Sequence, residues 1–520
     1  MQVISAGEAA ALISDGATVG VGGFGAYGAP ESLLQAIADR FADCGHPASL
    51  TVTCGVSPGD NTGRLVGLNR IAQEGLLDTI IAGHFANPPR IAEMVARNQA
   101  AGYALPLGVM IHLYDAIAAH LPEVLTPVGL GTYADPRMDG CRVNARAFAQ
   151  RREMVRVVEV AGREYLAYRT FPIQACVIRA TYADERGNLS MRNEGLGDSA
   201  FDLAAATHNS GGIVIAEVQR IVEYGALHPR DVRVHGHMVD YVTVADPGMY
   251  YQGYAADDRP ELSGNIRVPA AEISPMELTN RKVIARRGAM ELRPNCLINL
   301  GIGMPSGIGS VANEEGISAT LSLESGPQGG VPVEGLGFGA SVNPEAIYNL
   351  ADVFRLYDGG ILSMTFLGAA EIDQFGNVNV SKFGTRCTGP GGFINISQST
   401  PKVRFVGTFT ADGLEEEIAD GALHIRKEGR QKKFLKHVRQ ITFSGQYARE
   451  HRREVLYITE RAVFRLTEAG LLLTEIAPGV ELQRDILDQM EFVPLVSEDL
   501  RLMDGRIFRE EKMNIAGRFT

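Results

Sequence analysis

Paired cysteines are missing from this sequence of 520 residues. Its six cysteines (Cys44, Cys54, Cys141, Cys176, Cys296 and Cys387) are scattered, with no C-x-x-C pair. That argues against a zinc site or a disulfide framework and for a reducing compartment. No metal-ligand cluster is visible, so no metal is expected. No uninterrupted apolar run approaches the roughly 20 residues needed to span a bilayer, and no membrane partner is expected. There is no basic stripe either: 61 Asp and Glu stand against 49 Lys and Arg, a net charge of −12. Nucleic acid is therefore not an expected partner. The first residues carry Glu8 before any apolar run and no basic leader. They do not read as a signal peptide, and the protein is expected to be cytoplasmic.

What is present is an ordinary globular composition, 45% hydrophobic and 21% charged, in a chain long enough for more than one domain. Ser5 reads as the cap of a short helix at residues 6–14. A strand at 17–21 then runs into Gly22-Gly23-Phe24-Gly25 and an amphipathic helix at 31–41. Strand, glycine loop and helix together aim backbone N–H groups at an anion. The spacing is not the dinucleotide-binding G-x-G-x-x-G, which excludes a nicotinamide cofactor on this motif. Further strands at 50–54, 79–82 and around Val109 alternate with helices at 89–98 and 111–120. That alternation predicts a mostly parallel sheet covered on both faces. His84 falls in a loop after a strand, where a local hydrogen bond and a substrate contact are both open readings.

Residues 248–275 are rich in Pro, Gly, Asp and Tyr without a period, and read as a linker. The expected division is an N-terminal domain at 1–250, a linker at 251–276 and a C-terminal domain at 277–520, opening with a helix at 277–291. The second half echoes the first. Residues 295–305, with Gly301, Gly303 and Met304, match 17–30; residues 370–379 match 181–190; and the Gly391-Gly392 run matches Gly211-Gly212. Unequal offsets indicate divergent halves rather than a short-period solenoid. The fold class expected is α/β: two homologous open domains in tandem with mostly parallel sheets, and the active site at the interdomain cleft.

One stretch has no counterpart in the first half. The alternating run at 318–323 delivers Glu324 and breaks at once into Ser325-Gly326-Pro327-Gln328-Gly329-Gly330. A carboxylate at the end of a strand, ringed by glycine, leaves room for an acyl group to reach it. Taken alone, the same residue reads rather as a strand-terminal partner for an arginine, and it is the rest of the chain that favours the functional reading.

The pattern Glu324-Ser-Gly-x-x-Gly-Gly-x-Pro332 resembles the active-site signature of the family I CoA-transferases, in the branch of acetate or propionate CoA-transferases. The likeness extends from Val3 to about Phe508 and includes Gly129-Leu-Gly-Thr-Tyr-Ala-Asp-Pro-Arg137 and Asn144. It departs from the pattern at Tyr103-Ala-Leu-Pro-Leu107-Gly108, where the family carries glutamine in place of Leu107, and at Asp115, where close relatives carry arginine. Leucine cannot donate a hydrogen bond, so a bulkier or more apolar acyl group than acetyl is one reading.

The resemblance implies transfer of CoA from a short- or medium-chain acyl-CoA to a carboxylic acid such as acetate or propionate. It implies ping-pong chemistry through a glutamyl-CoA thioester on Glu324, with Gly391 and Gly392 as N–H donors to the oxyanion. Gly22, Gly23 and Phe24 would complete the acyl pocket beside Leu107. Gly301, Gly303 and Met304 would cradle CoA at a helix start, and Asn377 and Lys382 would contact its pantetheine or phosphates. CoA is implied as a substrate with no tightly bound cofactor, on a homodimer or homotetramer. A thioester hydrolase using the same Glu324, with water finishing the reaction, is the alternative.

Overall fold

The computed structural model describes residues 1–254, 258–269, 275–333 and 335–516. The segments 255–257 and 270–274 of the expected linker lie outside the described residues. The chain divides into two compact units. The first comprises 1–268, 324–355 and 381–395; the second comprises 269–323, 356–380 and 396–520.

The first unit is built on a ten-stranded sheet. Its main strands are β1 (Gln2–Val3), β2 (Thr18–Val21), β3 (Leu50–Val56), β4 (Leu77–His84) and β5 (Ala101–Ala104). After β6 (Glu123–Thr126), β7 (Val155–Val160) and β8 (Arg163–Arg169), which form a separate three-stranded antiparallel sheet, come β9 (Ala175–Asp184), β10 (Leu189–Ser190), β11 (Ile213–Val222), β12 (Val232–Val234) and β13 (Tyr241–Val244). The order is β1-β13-β11-β9-β2-β3-β4-β5, and every pair along it is parallel. Parallel strands covered on both faces read as near-continuous apolar runs; in β9 nine of the ten residues are buried.

Local signals set the helix ends. Ser5 caps α1 (Ala6–Ala11) through a reciprocal box: its Oγ accepts the Glu8 N–H at 3.2 Å and its own N–H donates to Glu8 at 2.8 Å. Helix α2 (Glu31–Cys44) buries Leu33, Leu34 and Ile37, each worth about 1.5–3 kcal/mol, and stops at Gly45 with φ +77°. Helices α3 (Pro89–Ala96), α4 (Leu107–Ala118), α5 (Ala145–Gln150) and α6 (Ala200–Asn209) follow. The strand expected around Val109 is not there. Val109 lies in α4, a helix buried nearly all round, and the strand is β5, just before it.

Chain order runs outward in both directions from the β9–β2 pair: β2 to β5 on one side, β9 through β11 to β13 on the other. That pair is the topological switch point, and a crevice is expected beyond the C-terminal ends of its strands. Gly22 occupies that spot, with its N–H donating to Val177 O at 2.9 Å.

In the second unit, parallel strands Thr320–Ser322, Leu297–Leu300, Met364–Gly368, Lys402–Val406 and Glu454–Ile458 lie side by side, and an antiparallel hairpin Ala462–Thr467/Gly470–Ile476 continues the sheet. The helix expected at 277–291 is Asn280–Ala289. It packs with Ile298, Ile308, Phe366 and Phe508 in the core. The expected repeat is visible here atom by atom. Gly301 N–H donates to Phe366 O at 2.8 Å, as Gly22 does to Val177. In both halves an Asp-x-x-Gly-Asn turn is clasped alike: Asn188 Nδ2 donates to Asp184 at 2.8 Å and its Oδ1 accepts from Gly236 N–H at 3.0 Å. Asn377 does the same with Asp373 at 3.0 Å and Gly445 at 2.9 Å. One expected correspondence fails. Gly211-Gly212 opens strand β11, whereas Gly391-Gly392 opens the helix Phe393–Ser399.

Candidate active site

Strand Thr320–Ser322 ends two residues before Glu324. The loop that follows turns back sharply at Gly326, whose φ of +120° suits glycine. A β-carbon at 326 would overlap Tyr348 O and lie 2.6 Å from Gly197 N. Backbone thus packs directly on backbone behind the carboxylate. Tyr348 N–H donates to Gly326 O at 3.0 Å, and Ser325 Oγ donates to Gly339 O.

Glu324 is largely enclosed, with part of its surface still accessible. Burial pushes its carboxyl up to about 7, and the hydrogen bond donated by Gly392 N–H is the opposing influence. A β-carbon at 392 would overlap Glu324 Oε2, 3.0 Å from Cδ. Only glycine lets the carboxylate sit against this amide.

The structure gives Gly391 a different part from the expected oxyanion donor. Its N–H donates to Gly83 O at 2.9 Å, and its carbonyl accepts Leu107 N–H at 2.9 Å. Both groups hold the loop against the end of β4 and the start of α4. Phe85 N–H donates to Thr388 O at 2.9 Å and Gly108 N–H to Asn395 Oδ1 at 3.1 Å, completing the clamp. Leu107 has no exposed surface; its side chain packs towards Gly55, and its Cα lies 3.1 Å from a β-carbon at Gly83. In this arrangement it props the Gly391 loop. His84 sits in the same clamp: Ser57 N–H donates to its carbonyl at 2.9 Å, and its Nδ1 is buried without a hydrogen-bond partner. Enclosure holds its imidazole down near 4, in the neutral form. Burial raises the carboxyl of Asp202 on α6, and the charge of Asp115, further along α4, and a hydrogen bond shared with it add to the effect.

Gly22, Gly23 and Phe24 are brought to the same place. They wall a narrow cleft at the switch point, opposite Leu196, Gly197 and Asp198. A β-carbon at Gly339 would lie 3.5 Å from the Phe24 ring and 3.6 Å from Ser325 Oγ, so the cleft wall and the Glu324 loop adjoin. Leu196 to Asp198 were not singled out in the sequence. Their glycine-rich setting, Glu194-Gly-Leu-Gly-Asp198, was the available signal.

The residues expected at CoA fall in different places. Gly301, Gly303 and Met304 share one turn of the second unit. Gly303 has φ +82° and open space around its α-carbon, and Met304 packs partly against the core. Asn377 has its amide engaged at both ends in the turn described above. Lys382 belongs to the first unit, in a short hairpin with Cys387. Among the described residues no group of three or more His, Cys, Asp or Glu is arranged to hold a metal, and no helix is long and apolar enough to cross a membrane.

Comparison with known proteins agrees with this geometry. Residues 3–245 match the family model for coenzyme A transferase. The chain is 46% identical over 516 residues to the caffeate CoA-transferase of Acetobacterium woodii, covering 98% of this chain and 97% of that one. The chain belongs to the CoA-transferases. This CoA-transferase is also 41% identical over 514 residues to the acetate CoA-transferase YdiF of Escherichia coli, covering 98% and 96% of the two chains. Crystal structures of YdiF from E. coli O157:H7 superpose throughout. The apoenzyme gives a TM-score of 0.93 at 40% identity over 99% of this chain and 97% of that one. A thioester complex with CoA gives 0.92 at 40% identity and the same coverage. The enzyme therefore moves CoA to carboxylic acid acceptors, on the α/β fold expected of it.

Proposed function

We propose that Glu324 carries CoA between two carboxylic acids. Its carboxylate attacks the thioester carbonyl of the donor and CoA thiolate leaves, giving a mixed anhydride. The thiolate then attacks the glutamyl carbon, forming a γ-glutamyl-CoA thioester and releasing the donor acid as carboxylate. The acceptor acid runs both steps in reverse, and no net proton is consumed.

The observation that carries this reading is the meeting of Glu324 with Gly392. A largely enclosed carboxyl with a raised pKa is a stronger nucleophile once ionised. The Gly392 N–H already faces the oxygen that bears charge in the glutamyl tetrahedral intermediates. Gly392 thus takes the oxyanion role, with Gly391 as the clamp behind it. Gly22, Gly23 and Phe24 enclose the acyl group. Gly301, Gly303 and Met304 are the proposed CoA contacts, with Lys382 for its phosphates; CoA enters as substrate, with no resident cofactor. Acetate and propionate are the proposed acceptors, since one relative carries acetate in its name. The caffeate enzyme's name extends the candidates to bulkier acids. A cytoplasmic homodimer or homotetramer is the proposed setting; the six free cysteines support the reducing compartment.

The deciding experiment is intact-mass spectrometry of the protein mixed with acetyl-CoA or propionyl-CoA, with and without borohydride, beside Glu324→Ala. A CoA-sized adduct on wild type alone is expected. Transfer proceeding normally in Glu324→Ala would overturn the assignment.

A further inference from the structure

The switch-point cleft has apolar walls, and nearly all of its polar atoms are already satisfied. Arg179, on its floor, donates to Glu194 at 2.6 Å and to Tyr251 O at 2.8 Å, with its guanidinium over the Tyr250 ring. Glu194 accepts from Arg179, from Tyr250 OH and from Gln252 at 2.9 Å. The exceptions are Arg179 Nε, buried without a partner, and Asp198. One of its carboxylate oxygens accepts Ala200 N–H at 3.2 Å, and the other has no hydrogen bond or ion pair among the described residues. Asp198 lines the cleft and is partly exposed.

The backbone on either side of Asp198 is tied to the reactive loop. Leu350 N–H donates to Asp198 O at 3.3 Å, and Gly197 lies against Gly326 and Tyr348. This fixes the carboxyl relative to Glu324. The charges facing it are Arg179 and Arg233, which favour its ionised form, Glu194, which opposes it, and Asp202 of α6, whose own carboxyl the Asp198 charge helps to raise. Desolvation, reinforced by Glu194, outweighs the two arginines and the Ala200 N–H and pushes it up to about 6.

We infer that Asp198 determines specificity at the far end of the acyl site, accepting acyl chains that end in a hydroxyl and rejecting those that end in a second anionic group. A hydroxyl donates to the free oxygen when Asp198 is ionised and accepts from it when Asp198 is protonated. A distal anion instead meets Glu194 and ionised Asp198, with both terminal nitrogens of the Arg179 guanidinium already engaged by Glu194 and Tyr251 O. Like charges so placed disfavour binding. The inference rests on the assignment of Glu324 as the carrier of CoA nearby.

The test uses acceptors matched in length: butyrate, 4-hydroxybutyrate and 3-sulfopropanoate, whose sulfonate stays ionised throughout. Acetyl-CoA is the donor and kcat/KM is measured from about pH 5.5 to 8. Ratios between acceptors cancel the ionisation of Glu324. Near pH 8, 4-hydroxybutyrate should exceed 3-sulfopropanoate by at least about tenfold, equivalent to about 1.4 kcal/mol. The gap should narrow as pH falls through about 6. In Asp198→Asn, which keeps an acceptor for Ala200 N–H, the sulfonate-to-butyrate ratio should rise about tenfold and lose its pH dependence. Should that variant not fold, the wild-type ratio decides alone: constant across pH, it overturns the inference. Acetate transfer with ratios that ignore both pH and Asp198→Asn would overturn the inference alone. Failure of wild type to transfer to any acceptor, acetate included, would overturn the Glu324 reading with it.

Discussion

The N–H of Gly392 donates to the Glu324 carboxylate, and the same residue leaves no space for a β-carbon beside Oε2. Gly392→Ala must therefore push the carboxylate off its amide. The atom displaced is the end of a flexible side chain, so the fold should survive. Loss of a preorganised donor at such a site costs roughly 10²–10³-fold in kcat. Steady-state kinetics with an unchanged circular dichroism spectrum is the expected outcome; near-normal kcat would remove Gly392 from the mechanism.

Acid should silence the first half-reaction. The nucleophile is the ionised form of Glu324, whose pKa burial raises to about 7. Formation of the CoA adduct should rise with pH through about 7 and level off above it. The stability effect has the opposite sign. Between about 4.5 and 7 the folded state holds a proton that the unfolded state has released, so stability falls as pH rises through that window. Glu324→Gln removes this burden. It should melt higher than wild type above pH 7, by an amount on the order of 3 kcal/mol at most at 1.36 kcal/mol per pKa unit. Thermal melts at about pH 5 and pH 8 check the sign; equal effects at both would contradict it.

Backbone packing behind the reactive loop predicts a sharp contrast between two glycines. A β-carbon at Gly197 would overlap Tyr348 O and lie 2.8 Å from Tyr348 C, and neither can yield without moving the Glu324 loop. Gly197→Ala should lower stability by about 1–3 kcal/mol or more and lose transfer activity. Gly7, in α1, has nothing within 4 Å of such a carbon. Gly7→Ala should raise stability by about 0.5–1 kcal/mol on helix propensity. Comparable melting curves for the two variants would refute the packing argument.

Where the sequence was legible, the reason is period and punctuation. Strands β2, β3 and β4 are apolar runs ended by glycine or proline loops, and Ser5 with Glu8 spells a capping box within four residues. Val109 was misread because α4 is apolar nearly all round, which erases the 3.6-residue period that distinguishes a helix from a buried strand. Gly391-Gly392 and Gly211-Gly212 share a spelling but not a structure, because a pair of glycines followed by aliphatic residues suits either element. Glu324 stood out through its motif. Asp198 and the true partners of Gly391 did not, because Gly83, Leu107 and Gly197 lie far away in the chain and no local spacing encodes them.

Asn377 puts the internal repeat to a last test. As a CoA contact, its loss would raise KM for CoA and spare the fold. The structure has its amide nitrogen on Asp373 and its oxygen on Gly445 N–H, matching Asn188 with Asp184 and Gly236. Asn377 is also 8% exposed, so truncation leaves a buried N–H without an acceptor, a loss of about 1–3 kcal/mol. Asn377→Ala and Asn188→Ala should therefore destabilise the protein by similar amounts in denaturant melts, with KM for CoA little changed in either. A rise in KM confined to Asn377→Ala, with stability unchanged, would show instead that the second copy of this turn has been given over to the substrate.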